Sequence, residues 1–289
     1  MIWEKYLTAR SVQEALEILQ SYKGQARIIA GGTDLVPELK ARIRKVECLV
    51  DISEIDLLKR IEMHGDLIRI GAGITHGEVA SSKLIWQRAP LLAKAASSVG
   101  SPLTRNQGTI VGNVVNAQPA ADTAVALFAL EANVEIFSKN GVRVVPIEDL
   151  YQTIGVSRVD STSEIVTGLI FRGLQNNQGS AFVRLAQRKA LALPMLNVAV
   201  VATIQEGHFE EVRIAVGPVA PLPFRSKNAE TTLKDASIGQ EVINRAAEAA
   251  ALEAQPRDSA LRGSAEYRRE MVKVLLRRAI GEALKRADQ

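Results

Sequence analysis

Hydrophobic and polar positions change rhythm several times along the chain, and each change predicts an element. Val12 to Tyr22 predicts a helix, capped by Ser11, supported in its first turn by Glu14 and stopped by Gly24. A short apolar strand, Arg27 to Ala30, runs straight into Gly31-Gly32-Thr33-Asp34, and a short helix is expected over Leu35 to Lys40. Cys48 to Asp51 is a second strand. Together these make a small α/β lobe ending near Leu58. A second lobe follows. Leu67 to Ile70 alternates as a strand, Pro90 to Val99 predicts a helix with proline in its first turn, and Thr123 to Leu130 predicts another. Val134 to Phe137 and Val142 to Val145 flank Ser138-Lys139-Asn140-Gly141, whose Asn-Gly pair predicts a hairpin. Glu164 to Phe171 is a further strand.

The polar, glycine-bounded run Gly173 to Gly179 predicts a linker. Beyond it the pattern changes. Ser180 to Arg188, Asn197 to Gln205 and Glu211 to Val216 read as three strands, with a turn at Glu206-Gly207-His208, so an antiparallel meander is expected. Helices over Val242 to Ala254 and Tyr267 to Arg286 complete an α+β half. The expected division is 1–175, with lobes of about 1–58 and 59–175, and then 176–289.

Composition narrows the classes. The chain has 289 residues, 47% hydrophobic and 24% charged, as expected for a globular protein with a sizeable core. No stretch approaches the roughly 20 apolar residues that span a bilayer, and the N-terminus carries no basic region followed by an apolar run, so cytoplasm is the expected location. The net charge is +4. Much of the excess lies near the C-terminus, at Arg268, Arg269, Lys273, Arg277, Arg278, Lys285 and Arg286. Apolar residues interleave there at helical spacing (Val272, Leu275, Leu276, Ala279, Ile280, Ala283), so a solvated helix face is expected rather than a nucleic-acid patch. The one cysteine, Cys48, reads as a small buried hydrophobe in a strand, and alone it cannot hold an iron–sulfur cluster. His64, His76 and His208 have no partners at metal-ligand spacing and are expected at surface or loop positions.

Two stretches carry candidate chemistry. Thr109 to Asp122 mixes β-branched residues, small polar side chains, Gly112 and Pro119, which suits a buried loop presenting backbone N–H groups better than a helix. Gly31-Gly32-Thr33-Asp34, between strand and helix, is a ready anion site. Asn113 offers donor and acceptor. Asp122 would repel a phosphate but suits a ribose hydroxyl or a ring N–H, or caps the helix from Thr123. A third run, Gly71-Ala72-Gly73-Ile74-Thr75-His76-Gly77, has the spacing G-x-G-x-x-x-G rather than that of a dinucleotide fingerprint, and no clear βαβ unit surrounds it.

Ala30-Gly31-Gly32-Thr33-Asp34-Leu35, then Thr109-Ile110-Val111-Gly112-Asn113 and Asp122, resemble the FAD-binding subunit of the molybdenum hydroxylases, which include xanthine dehydrogenases and carbon monoxide dehydrogenase. The resemblance extends to Val99-Gly100-Ser101, Arg105-Asn106, Gly179-Ser180-Ala181-Phe182-Val183-Arg184, Arg188-Lys189-Ala190, Asn197-Val198-Ala199-Val200 and Arg262-Gly263-Ser264-Ala265-Glu266-Tyr267-Arg268. It implies an α+β fold: a two-lobed FAD-binding domain of the vanillyl-alcohol-oxidase type, and a C-terminal domain with a three-stranded antiparallel sheet and helices. It implies that Arg27, Ile28, Ile29, Ala30, Gly31, Gly32, Thr33, Asp34 and Leu35 form the first FAD loop. Thr109, Ile110, Val111, Gly112 and Asn113 form the second, with Gly100 close by. Asp122 holds a polar group of the cofactor, Val166 offers backbone contacts to the flavin, and Arg184 lies near its edge.

By the same resemblance the subunit is an electron-transfer component and carries no catalytic acid or base and no metal of its own. A large partner holds the molybdenum cofactor, a small partner holds two [2Fe–2S] clusters, and FAD passes electrons to an acceptor such as NAD, in a dimer of heterotrimers. Two departures stand out. The family usually has Gly-Gly-Asn where this chain has Val111-Gly112-Asn113, and Val111 disfavours positive φ. The run Ala190-Leu191-Ala192-Leu193-Pro194 lacks acidic residues that some relatives carry just before it. A self-contained flavin oxidase of this fold and a non-redox nucleotide-binding scaffold subunit are the other readings.

Overall fold

The computed structural model describes residues 3–188 and 191–287. Lys189 and Ala190, singled out above, lie outside the described residues, as do Met1 and Ile2.

The first lobe is a three-stranded parallel sheet with two helices. In chain order it holds β1 (Lys5–Thr8), α1 (Val12–Ser21), β2 (Ala26–Ile29), α2 (Leu35–Lys40) and β3 (Cys48–Asp51), with strand order β1-β3-β2. Ser11 caps α1, its side chain accepting from the backbone N–H of Glu14. Every residue of the central strand β3, Cys48 included, is buried, because strands on both sides and helices on the faces cover it.

The second lobe contains β4 (Ile61–His64), β5 (Leu67–Gly71), α3 (His76–Ser81), α4 (Lys83–Arg88), α5 (Pro90–Ser97), α6 (Pro102–Gln107), α7 (Ile110–Val115) and α8 (Asp122–Ala129). It continues with β6 (Asn133–Ser138), β7 (Gly141–Pro146), α9 (Ile147–Leu150), β8 (Tyr151–Thr153), β9 (Val156–Ser157) and β10 (Glu164–Arg172). An antiparallel sheet runs β4-β5-β10-β6-β7. The expected hairpin forms as β6 and β7, with Ser138 paired to Gly141.

The stretch from Thr109 to Asp122, expected to be a loop, is instead two helices and the turn between them. Thr109 caps α7 by accepting from the N–H of Gly112. Ile110, Val111 and Val114 then fall on one buried face. Tertiary packing of that face outweighs the weak intrinsic preference of β-branched residues against helix. Pro119 lies in the turn, where it breaks nothing.

Between β10 and the next strand the connection is short and tied down. Gly173 N–H donates to the carbonyl of Asp66, and Leu174 N–H to that of Arg88. Then come β11 (Gln178–Leu185), β12 (Leu196–Gln205), β13 (His208–Gly217), β14 (Phe224–Arg225), α10 (Lys227–Leu233), α11 (Gln240–Glu253) and α12 (Ala265–Ala287). The meander β11-β12-β13 gains a two-residue edge strand, β14. This sheet is buried on both faces. Ala181, Val183, Val198, Val200, Ile214 and Val216 pack with α11 and α12, while Phe182, Ala199, Val201 and Ala215 join the core of the second lobe. That is why β12 carries a continuous apolar run, Val198 to Ala202, rather than an alternating one.

Helix α8 lies at this junction, with all eight of its residues buried. Ion pairs to the C-terminal sheet hold both its ends. Asp122, in its first turn, pairs with Arg184. Glu131, just past its end, pairs with Arg225 and Arg213.

Candidate functional site

The glycine turn after β2 meets the end of α6. A Cβ on Gly31 would lie 2.0 Å from the carbonyl oxygen of Gln107, far inside any tolerable contact. Gly32 follows with φ of 64°, a left-handed conformation that favours glycine. Thr33 then reaches Gly108: its Oγ1 would be 3.2 Å from a Cβ placed there. Asp34 interacts with Asn116, the C-cap of α7. Desolvation and the neighbouring Glu38 raise the pKa of the Asp34 carboxyl, and Asn116 opposes them. Residues 31–34 and 107–116 thus form one continuous cradle, although more than 70 positions separate them in the chain.

The third glycine run supports this cradle from below. His76 N–H donates to the carbonyl of Gly108 at 3.0 Å, and Ile110 N–H donates to that of Ile74 at 3.0 Å. Thr75 caps α3 in a capping box with Glu78. His76, expected at a surface or loop position, is a buried helix residue, only 2% exposed, with its Nδ1 unpartnered among the described residues. Burial first, and the charge of Arg105 second, lower its pKa to about 4, so the ring is neutral near pH 7. His64 and His208 are exposed.

On the other side, the cradle connects to α8. Thr123 Oγ1 donates to Asn113 Oδ1 at 2.8 Å. Asp122 does not cap α8: Ala121 occupies the N-cap, and Asp122 is the first helical residue. Its Oδ1 accepts from Arg184 Nε and from Asn197 Nδ2, each at 2.9 Å. Burial raises the pKa of this carboxyl, and the two donors pull the other way. A negative charge in the first turn also suits the helix dipole. Arg184 in addition donates to the carbonyl of Ala192, which anchors the segment leading into β12.

The remaining sequence candidates are distributed around this arrangement. Gly100, with φ of 46°, turns the chain from α5 into α6. Val166 precedes an irregularity in the β10–β6 pairing. Ile28 and Ile29 are packing residues of β2. The guanidinium of Arg27 turns back to the carbonyls of Gly24 and Ala26, at the start of β2 rather than at the glycine turn. Val111 is 4% exposed and sits inside α7 at an ordinary helical φ, so the valine is accommodated by packing. Sequence reasoning missed His76, Gln107 and Gly108, and gave Asn116, within the stretch from Thr109 to Asp122, no role of its own. The T-x-x-E of Thr75 and Glu78 was the one available signal, since it places His76 on a helix beside its cap.

A cradle closed by backbone approach, rich in amides and hydroxyls and lying beside a buried carboxylate, fits a dinucleotide carrying both a diphosphate and polar rings. Residues 3–171 match the family described as the FAD binding domain in molybdopterin dehydrogenase. Residues 181–283 match the CO dehydrogenase flavoprotein C-terminal domain.

The chain belongs to the FAD-binding medium subunits of the molybdenum hydroxylases.

It is 33% identical over 282 residues to the 6-hydroxypseudooxynicotine dehydrogenase complex subunit alpha of Paenarthrobacter nicotinovorans, covering 98% of this chain and 95% of that one. It is 29% identical to the xanthine dehydrogenase FAD-binding subunit of Escherichia coli O157:H7, covering 96% and 95%. The fold superimposes with a TM-score of 0.93 on a chain of carbon monoxide dehydrogenase from Hydrogenophaga pseudoflava, at 30% identity and 98% coverage of both chains. FAD is therefore the cofactor, and the chain is a component of an oxidoreductase. No described helix is long and apolar enough to cross a membrane.

Proposed function

We propose that this medium subunit relays electrons inside a cytoplasmic molybdenum hydroxylase complex. It receives them from [2Fe–2S] clusters on a small partner subunit, downstream of a large partner that carries the molybdenum cofactor, and delivers them to an acceptor such as NAD. The assembly is a dimer of such heterotrimers. The observation that supports this reading is the close approach of Gly31 to Gln107, which brings two remote glycine loops together in a cradle suited to FAD.

FAD supplies the exchange between single electrons and electron pairs. The protein's part is to bind, orient and shield it. Gly31, Gly32, Thr33, Asp34, Thr109, Ile110, Val111, Gly112 and Asn113 would hold the diphosphate and its surroundings, with the backbone amides of the 31–34 turn and the hydroxyls of Thr33 and Thr109 as donors, the amides of Ile110, Gly112 and Asn113 being used within the fold. Ile28, Ile29, Ala30 and Leu35 would support that turn by packing, and Gly100 by setting the start of α6. Asp122 spends Oδ1 on Arg184 and Asn197, so its second oxygen would accept from a polar group of the cofactor. Val166 would border the flavin through its backbone. Arg184 would place positive charge near the flavin edge while holding Asp122. Arg27 would act only indirectly, by fixing the start of β2. The functional division falls near residue 175, with FAD held chiefly by what precedes it.

Native isolation of the complex, followed by metal and flavin analysis, tests the proposal. Flavin, iron and molybdenum should purify together, and NAD⁺ should restore the oxidised flavin spectrum after reduction. A flavin-bearing chain that purifies without iron- or molybdenum-bearing partners would exclude it.

A further inference from the structure

A cleft of about 470 Å³ opens between the second lobe and the C-terminal part of the chain. Gln87 and Arg88 line it from the end of α4, Pro90 from the start of α5, Gln178 and Ser180 from β11, and Arg286 from the last turn of α12. None of these belongs to the glycine cradle. Its lining holds two guanidinium groups and, among the described residues, no carboxylate.

Two polar side chains that line the cleft, Ser180 and Arg88, carry buried atoms without partners among the described residues. Ser180 is 1% exposed, and its Oγ makes no hydrogen bond among the described residues. Strand alternation turns it to the same face as Phe182, toward the second lobe, because Ala181 and Val183 pack on the opposite face. Leaving such a hydroxyl buried and unpaired is costly, so its retention calls for a partner. The Nε of Arg88 is likewise buried and unpartnered. Arg286 reaches round the sheet edge, its Nη1 donating to the carbonyl of Ser180 at 3.4 Å, which brings its charge to the same place.

We propose that this cleft binds a phosphate group, either free or as the ester of a small molecule, held by Arg88, Arg286 and the Ser180 hydroxyl. Two guanidinium groups and a hydroxyl converging from separate elements suit a tetrahedral oxyanion with acceptors on every side. Because the donors come from both the second lobe and the C-terminal part, occupancy ties the two together and should stabilise the fold.

The test uses the FAD-loaded full-length chain, so that the cradle is filled. Isothermal titration with inorganic phosphate and, separately, with AMP is run at constant ionic strength set by chloride. At least one should bind saturably at one site, and the tighter of the two identifies the free or the esterified form. Arg88→Gln should weaken it at least about tenfold, the loss expected for one charge-assisted interaction. Ser180→Ala should weaken it several-fold while leaving the phosphate-free protein as stable as before or more so, because an unpaired buried hydroxyl has gone. Flavin content should stay unchanged in both. No saturable binding of either probe, or binding unaltered in both variants, overturns the proposal.

Discussion

Arg184 Nε and Asp122 Oδ1 lie 2.9 Å apart, with their side chains 13% and 7% exposed, and this pair joins the first turn of α8 to β11. Asn197 shares the same carboxylate oxygen. Breaking a buried pair by removing one partner leaves an uncompensated charge, and typically costs about 3–5 kcal/mol. Arg184→Met should therefore lose roughly that much stability at pH 8. Asp122 already has its pKa raised by burial, and without Arg184 it would rise further, so the carboxyl escapes the penalty by protonation. The loss should shrink as pH falls. Urea unfolding across pH 5 to 8 measures this. A loss below about 1 kcal/mol, or one independent of pH, would show that the pair contributes little.

The meeting of the two loops gives a steric test. In Gly31→Ala the new methyl would lie 2.0 Å from the carbonyl oxygen of Gln107, a backbone atom that cannot move alone. The loops must separate, at a cost of about 1–3 kcal/mol for overpacking. FAD affinity should fall at least about tenfold, with far-UV circular dichroism unchanged. Gly281→Ala in α12 is the control: its Cβ would meet nothing within 4 Å, so the helix should gain about 0.5–1 kcal/mol and keep its flavin. Full flavin retention in Gly31→Ala would refute the placement of the cradle.

Much of this architecture was legible in residue patterns, for local reasons. Ser11 and Gly24 bracketed α1, Asn140-Gly141 marked the β6–β7 hairpin, and the apolar spacing from Val272 to Ala283 marked α12, because each signal acts within a few residues. Failures came where distant contacts decide. Ile110, Val111 and Val114 form a helix because the core receives their shared face, and no local propensity reports that. The edge strands β1 and β4 are short and partly exposed, and their identity comes from their partners β3 and β5. His76 carries no mark of burial in its neighbours, since the groups that cover it come from α6 and the turn after it. Asp122 was recognisable as important, but its bond to Arg184 spans 62 positions and no spacing rule reaches that far.

His76 sets a pH dependence of stability. Its folded pKa is depressed to about 4 from an ordinary 6.5. Below pH 6.5 the unfolded chain takes up a proton that the folded protein refuses, so the unfolded state is favoured. The contribution is whole above about pH 6.5, declines as pH falls and levels off below about 4. The full span is on the order of 3 kcal/mol at 1.36 kcal/mol per unit. His76→Gln should remove this part of the slope between pH 6.5 and 4, measured by denaturant unfolding of both proteins. An identical slope in the variant would mean that His76 is protonated in the fold.

Val111 separates packing from cofactor binding within the second loop. The valine is a buried member of α7 with helical backbone angles, so nothing at this position calls for a residue without a side chain. Val111→Gly would forfeit buried aliphatic surface, worth about 1.5–3 kcal/mol for a whole valine side chain. It would also add the backbone entropy of glycine in a helix, roughly 0.5–1 kcal/mol. The variant should lose about 2–4 kcal/mol in all and still bind FAD with affinity within a few-fold of the parent, because the cradle is closed by Gly31 and Gln107 and capped by Thr109. Gly112 is the contrasting position. A Cβ there would lie 2.9 Å from Thr109 Oγ1, the atom that caps α7. Gly112→Val should therefore displace that cap and release FAD, while the sheet β11-β12-β13 keeps its fold. If Val111→Gly instead bound FAD much more tightly, the valine would be restricting the cofactor rather than supporting the helix beneath it.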